Sequence, residues 1–341
     1  MSVETDIADA IVLHALELQK LSAHDEARAD AELRALADDL RAILNRDDLT
    51  RANKREIAAI IKAAEEAIAG RYINAAGIVD VTGIVQHVAE RTVAVMDATM
   101  PGLPFGPPSV ETIRSLAKNI LIDGAPSAAW WARQSEDAAF RFGNIVRRGV
   151  LNGETNEQIA RKVVGDTGLL GTSRRNARAL VHSSIMTAAN RARLETFRKN
   201  ARYADGVRFL ATLDSHVCMR CAALDGKGWD FDGDPIGHDQ PLQMAPLHFS
   251  CRCVMSIIPG RKALDEVFPG MADKFAALQD RATAGGPQKV TMNDWLHRNP
   301  AAAEEVLGKK RVALFQSGKL TLTDLVTKSG QPKTLAQLNA R

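Results

Sequence analysis

Aromatic residues are scarce in this 341-residue chain, with 4 Trp, 2 Tyr and 10 Phe making up 5% of it. Sandwiches and barrels draw on aromatic and β-branched side chains, whereas the abundant alanine here favours helices. No apolar run reaches the roughly 18 residues needed to cross a bilayer, so no membrane-spanning helix is expected. Neither sign of charge dominates. The 44 basic and 41 acidic residues leave +3, too little for a chain that coats nucleic acid over its whole surface, so any such contact must come from a local patch. The N-terminus also lacks the positive charge of a secretory signal. Glu4, Asp6 and Asp9 stand there instead, and a cytoplasmic start is expected, where thiols stay reduced. A P-loop, a G-x-S-x-G elbow, a dinucleotide fingerprint, H-E-x-x-H and H-x-E…C-x-x-C are all missing from the sequence. What remains is 45% hydrophobic and 25% charged, the balance of a packed chain rather than a disordered one.

Residues 3 to 99 read as helix, with Ile7, Ile11, His14, Leu18 and Leu21 recurring at three- and four-residue steps and Ile57–Ile68 and Ile84–Val95 repeating the pattern. Four prolines then fall within the nine residues 100–108. Proline fixes φ and lacks an amide donor, so this stretch is either a boundary or an ordered surface loop. Helix resumes after Pro126, and Thr155-Asn-Glu-Gln158 is a capping box opening a helix through Val164. Past glycines 165, 168 and 171, a long helix runs from Ser173 to Asn200, with Ala177, Val181, Ile185, Ala188 and Ala192 along one face. Eight Arg and Lys lie between 173 and 202 against the single acid Glu195. The plainer reading is a solvated face, with a nucleic-acid or partner patch as the alternative. Val207–Leu213 and Val254–Ile258 are short, rich in β-branched residues and bounded by Gly and Pro, as strands are. Helix is expected again beyond Gly260, loosening at 284–287 and restarting at a capping box, Thr291-Met-Asn-Asp294, with turns at Gly308, Gly318 and Gly330.

All four cysteines fall within 36 residues, as Cys218-Met-Arg-Cys221 and Cys251-Arg-Cys253, with His248 three positions before Cys251. A C-x-x-C knuckle sets two thiolates on one side of a metal, and a second pair from a neighbouring strand completes the tetrahedron that structural zinc prefers. Two disulfides or four buried free thiols would also use four cysteines, but a reducing compartment and the paired spacing favour metal. Five donors are available for four positions. Cys218, Cys221 and Cys253 are expected ligands, with either His248 or Cys251 as the fourth. Surplus thiolates suit a closed structural site rather than a catalytic one with an open position. His216 and His238 read as loop residues or outer contacts. Asp230-Phe-Asp-Gly-Asp234 has the look of a calcium loop, but its twelfth position is Pro241 where a bidentate Glu is required, so it reads as a solvated turn. Ser183 and Ser184 follow His182 directly, and adjacent helical residues point apart, so no nucleophile–base pair arises there.

These residues resemble a family. Ala177–Ser184, Ala188–Glu195, Leu213-Asp, Cys218-x-x-Cys221, Leu224-Asp-Gly-Lys227 and Pro246-Leu-His-Phe-Ser-Cys-Arg-Cys253 are similar to the phage Mu protein F-like head morphogenesis proteins over about residues 148 to 258. Residues 294–296, 307–308 and 320–325 are similar to a tail that many members carry, and Phe249 departs from the proline usually found after the histidine. The resemblance implies a non-enzymatic minor capsid component of a tailed phage, associated with the portal and head proteins and acting in head assembly or DNA delivery. It would be made in the host cytoplasm and reside in the virion. The expected fold is mainly α: a helical N-terminal region (1–99), a Pro/Gly-rich connection (100–125), an α+β Mu F-like module with a short β-hairpin zinc knuckle (126–260) and a helical C-terminal region (261–341). The competing readings are a nucleic-acid-binding zinc module, using the knuckle and the basic helix 173–200 for DNA contact, and a toxin-linked domain.

Overall fold

The periodic first hundred residues break into three helices in the computed structural model, which describes residues 3–260, 265, 281–283, 286–288 and 291–339. They are α1 (Val3–Leu44), α2 (Lys54–Ala76) and α3 (Val81–Thr99). The start of α2 is set locally. The Asn53 side chain accepts from the amides of Arg55 and Glu56, while Glu56 accepts from the Asn53 amide, so three orphan donors of the first turn are satisfied. Four further helices follow: α4 (Val110–Asn119), α5 (Ser127–Leu151), α6 (Asn156–Val164) and α7 (Leu169–Lys199). Thr155 and Gln158 form the expected reciprocal cap on α6.

The chain folds into two compact units that are discontinuous in sequence. One comprises residues 20–81 and 119–185, the other residues 1–19, 82–118 and 186–341. The sequence reading instead divides the chain into consecutive stretches. The difference arises because α1 and α7 are each long enough to give one end to each unit.

In the first unit α2 lies antiparallel to α5. Tyr72 meets Trp131 edge-on at 6.1 Å, and a methyl of Ile61 faces Gly143. The α5–α6 turn is tighter still: a Cβ on Gly149 would fall 2.5 Å from Ile159, so only glycine permits the approach. Asn156 ties α6 to the end of α1, donating to the carbonyls of Leu44 and Asp47 and accepting from the Leu49 amide. Between α1 and α7 of this unit the buried carboxylate of Asp30 accepts from Arg34, Arg174 and Arg178 at 2.7–2.8 Å, beneath arginines that reach the surface.

The second unit is built on a four-stranded antiparallel sheet in the order β3-β2-β1-β4, with β1 (Ala204–Leu210), β2 (Gly228–Trp229), β3 (Pro235–Ile236) and β4 (Val254–Pro259). β1 and β4 are the two expected strands, pairing from Leu210↔Val254 to Ala204↔Pro259. Phe209, Trp229, Met255 and Ile257 pack from the sheet into one core with Ile7, Ile11, Met96 and Phe197 from the helices. The proline-rich stretch at 100–108 lies inside this unit as an ordered loop. The Asn200 side chain accepts from the Gly106 amide and donates to its carbonyl, and Phe105 meets Tyr203 edge-on at 5.2 Å. The expected helix just past Gly260 lies outside the described residues, apart from Asp265. Where the sequence reading has a loosened turn, Arg281–Thr283 and Gly286–Gln288 form a small antiparallel pair, β5 and β6, consistent with the Gly-rich sequence between them acting as a hairpin signal. Beyond it come α9 (Met292–Arg298), α10 (Pro300–Leu307), α11 (Lys309–Gln316) and α12 (Leu335–Asn339). Thr291 caps α9 as expected, and Gly308, Gly318 and Gly330 all take left-handed φ of 71–79° at the intervening turns. Asp225 anchors this tail: one carboxylate oxygen accepts from the Ala211 amide, the other from the amide of Met292.

Helix α7 departs from its expected one-sided pattern. Every residue from Leu180 to Asn190 is buried, so its middle has no solvated face. The chain can bury Ser183, Ser184 and Asn190 there because each donates to the carbonyl four residues earlier, at 2.7–3.1 Å, whereas the Thr187 hydroxyl is buried without a partner among the described residues.

Candidate metal centre

The Cys218-x-x-Cys221 pair sits at the start of a short helix, α8 (Met219–Leu224). Cys218 is the N-cap, and its sulfur accepts from the Cys221 amide at 3.4 Å. The amide that a knuckle aims at its first sulfur is therefore in place. Cys251 and Cys253 arrive just before β4, on a segment fixed by two bonds from helix α7. Asn190 donates through Nδ2 to the Cys253 carbonyl (3.2 Å) and accepts through Oδ1 from the Met255 amide (3.0 Å). On the other side, Arg252 makes a bidentate pair with Asp214, one arm at 2.7 Å, and Thr212 donates to the Arg252 carbonyl at 3.1 Å.

The five donors converge in two overlapping groups, Cys218–Cys221–His248 and Cys221–Cys251–Cys253, each with donor atoms within 4.8 Å of one another. His248 Nε2 lies 3.2 Å from Cys218 Sγ and 3.6 Å from Cys221 Sγ, while Cys221 and Cys251 sulfurs are 3.7 Å apart. With zinc–sulfur bonds of about 2.3 Å and zinc–nitrogen bonds of about 2.0–2.1 Å, a tetrahedron has S···S edges of about 3.8 Å and S···N edges of about 3.6 Å. The donor chemistry and two of the three spacings fit that group, and the third is somewhat short. The cavity at the cluster is only about 10 Å³, about the size of one water molecule. It leaves no room for a substrate beside a metal.

Without a cation the cluster divides its protons unevenly. Contact with Cys221, and then with His248, holds the Cys218 thiol down at about 4, and contact with Cys218 lifts His248 to about 11. Contact with Cys221 likewise holds Cys251 well below the usual thiol range, whereas contact with Cys218 pushes Cys221 up. Several thiolates crowded in a buried site cannot all ionise unless a positive charge is placed among them. These groups could hold a metal ion, and binding one would release protons.

Residues 141–256 match the family described as Phage Mu protein F like protein. Over that stretch the chain is similar to the phage Mu F-like family. The matched stretch begins inside α5 and ends inside β4, so it takes in all of α7, both cysteine pairs and all of the sheet but the second half of β4. No curated protein and no solved structure matches the chain. That likeness suggests a role in phage head morphogenesis. No helix among the described residues is long and apolar enough to cross a membrane.

The remaining residues singled out in the sequence have ordinary places. His216 is exposed, and His238 reaches the Gly228 carbonyl at 2.8 Å. Asp230 spends one oxygen on the amides of residues 232, 233 and 234, an Asx turn rather than a calcium loop. The basic patch is narrower than the sequence suggests, because Arg174 and Arg178 are taken up by Asp30 and Arg193 is buried. Two groupings escape the sequence reading. Ser22 and Glu26 meet His182 at 3.1 and 3.6 Å, but both address the same ring nitrogen, which is not the geometry of a proton relay. Arg193 lies within electrostatic reach of His14. In both cases the partners lie more than 150 residues apart, on different helices, and no local motif marks them.

Proposed function

We propose that the chain is a minor head protein of a tailed phage, associated with the portal vertex, and that it acts by contact in head assembly or DNA delivery. In this reading one structural zinc holds its sheet. Cys218, Cys221, His248 and Cys251 are the ligands, and Cys253 borders them from the core side. The observation that carries it is that Cys221 joins two overlapping groups of donors, Cys218–Cys221–His248 and Cys221–Cys251–Cys253, with spacings of 3.6 and 3.7 Å close to the edges of a zinc tetrahedron. This differs from the sequence-level set in making Cys253 the surplus donor, because Cys251 touches both Cys221 and His248 and so links the two groups of donors, whereas Cys253 belongs to the inner group alone. Zinc in such a site contributes folding free energy directly, about 10–16 kcal/mol in small knuckles. Losing it would unseat the β1–β4 pair and the tail that Asp225 anchors.

One experiment tests both halves of the proposal. Heads are purified from cells producing the natural chain or Cys221→Ser, then assayed for the chain and for zinc. The expected result is the natural chain in heads with about one zinc each, and the variant missing from them. A natural chain found in heads but free of zinc would overturn the metal assignment. A chain absent from heads, but binding DNA in a strongly salt-dependent way, would overturn the structural role in favour of a nucleic-acid module.

A further inference from the structure

Helix α7 presents Met186, Asn190, Arg193 and Phe197 to the core of the second unit, and all four have zero exposure. Arg193 is the anomaly among them. None of its three guanidinium nitrogens has a hydrogen-bond partner among the described residues. Burial brings it down only to about 10, so it stays cationic at neutral pH. An ion without a partner in an interior costs several kcal/mol, and native proteins seldom tolerate it.

The surroundings make the charge less tolerable. His14 of α1, 2% exposed, is within electrostatic reach of Arg193, and among the described residues its Nε2 also lacks a partner. His87 of α3 stands edge-on to His14 at 5.6 Å, and Arg91 of α3 adds a further positive charge. Burial first, and then Arg193, His87 and Arg91, hold His14 down at about 3. Three helices thus bring basic groups together around unpaired donors.

We propose that Arg193 and His14 form a binding site for one small free oxyanion of the phosphate or sulfate class, lodged between α1, α3 and α7 within the second unit. The guanidinium offers a planar fork that matches two oxygens of such an ion, and the imidazole offers a third donor. Zero exposure at Arg193 leaves no path for a polymer backbone, so the ligand is a free ion rather than a nucleic-acid phosphate. Its effect would be to fasten the first turns of α1 to α3 and α7.

The test is calorimetry on the full chain in sodium phosphate and in sodium chloride at matched ionic strength, with Arg193→Met and Arg193→Lys alongside. Matching removes general screening, and the Met variant reports the nonspecific effect of phosphate on burial. For the natural chain, a phosphate-specific rise of about 2 °C per tenfold concentration above Kd is expected, absent in Met and reduced in Lys. Broadening of the ³¹P line of inorganic phosphate by the natural chain, with none from His14→Gln, is the second readout and holds even if the Arg193 variants fail to fold. Equal responses of the natural chain and Arg193→Met would overturn the proposal. So would an unbroadened ³¹P line, or a higher midpoint for Arg193→Met in both buffers.

Discussion

Helix α7 treats its arginines in opposite ways at its two ends. In the first unit, Arg174 and Arg178 converge on the Asp30 carboxylate together with Arg34, so one buried negative charge collects four charge-assisted hydrogen bonds. In the second unit, Arg193 is buried without a partner among the described residues. The comparison shows that the helix itself does not decide whether a charge can be buried there. What decides it is whether another element supplies the opposite charge, as α1 does with Asp30 and does not with His14.

The sharpest way to break this contrast is to make the first end resemble the second. Asp30→Ala leaves Arg174 and Arg178 without their carboxylate; as these arginines are partly exposed, the loss should be about 1.5–3 kcal/mol, read as a drop in the urea midpoint of the first unit. A loss below about 1 kcal/mol would mean that the arginines simply turn out to solvent. The same carboxylate predicts a pH effect. Hydrogen bonds from Arg174 hold Asp30 at about 2, against 3.8 for an ordinary aspartate. Its contribution is therefore complete above about pH 4 and is lost as pH falls toward about 2, amounting to about 2 kcal/mol. Asp30→Asn should remove that part of the acid sensitivity, seen as a smaller stability difference between pH 4.5 and 2.5 than in the natural chain. The smallest effect belongs to the neutral residues between the two ends. Ser184 donates to a carbonyl within its own helix, so Ser184→Ala should change stability by less than about 1 kcal/mol. A larger loss would show that buried neutral groups in α7 also depend on partners from other elements.

Much of this was legible where the determining interaction is local. The capping boxes at Thr155 and Thr291 appear as written, because a cap involves residues three apart. The cysteine cluster was legible for a similar reason: each pair is a short motif, and the pairing of β1 with β4 only had to bring the two together. Choosing among the five donors was not possible from spacing, since it depends on how α8 and the β4 lead-in face each other. β2 and β3 are two residues each, too short for any periodic signal. The full burial of α7 was hidden because its serines and asparagine look solvent-seeking until their bonds back to the helix are seen. Asp30 and Arg193 were out of reach for a plainer reason: Asp30 and Arg174 are 144 residues apart, and nothing near either residue indicates which charge it will meet.

The interleaving of the two units bears on how the chain can be cut. The stretch recognisable as a family module, residues 141–256, is not the same as a piece that can fold. Starting at 141 divides α5 and separates Phe142 and Val146 from Trp131 and from α2, which packs on that helix. The same cut discards residues 3–19 and 82–118, whose Ile7, Ile11 and Met96 share a core with Phe197 and Phe209. Recognisable descent and physical autonomy thus have different boundaries in this molecule. A fragment designed on the first would present to solvent the apolar surfaces that the second requires to be covered.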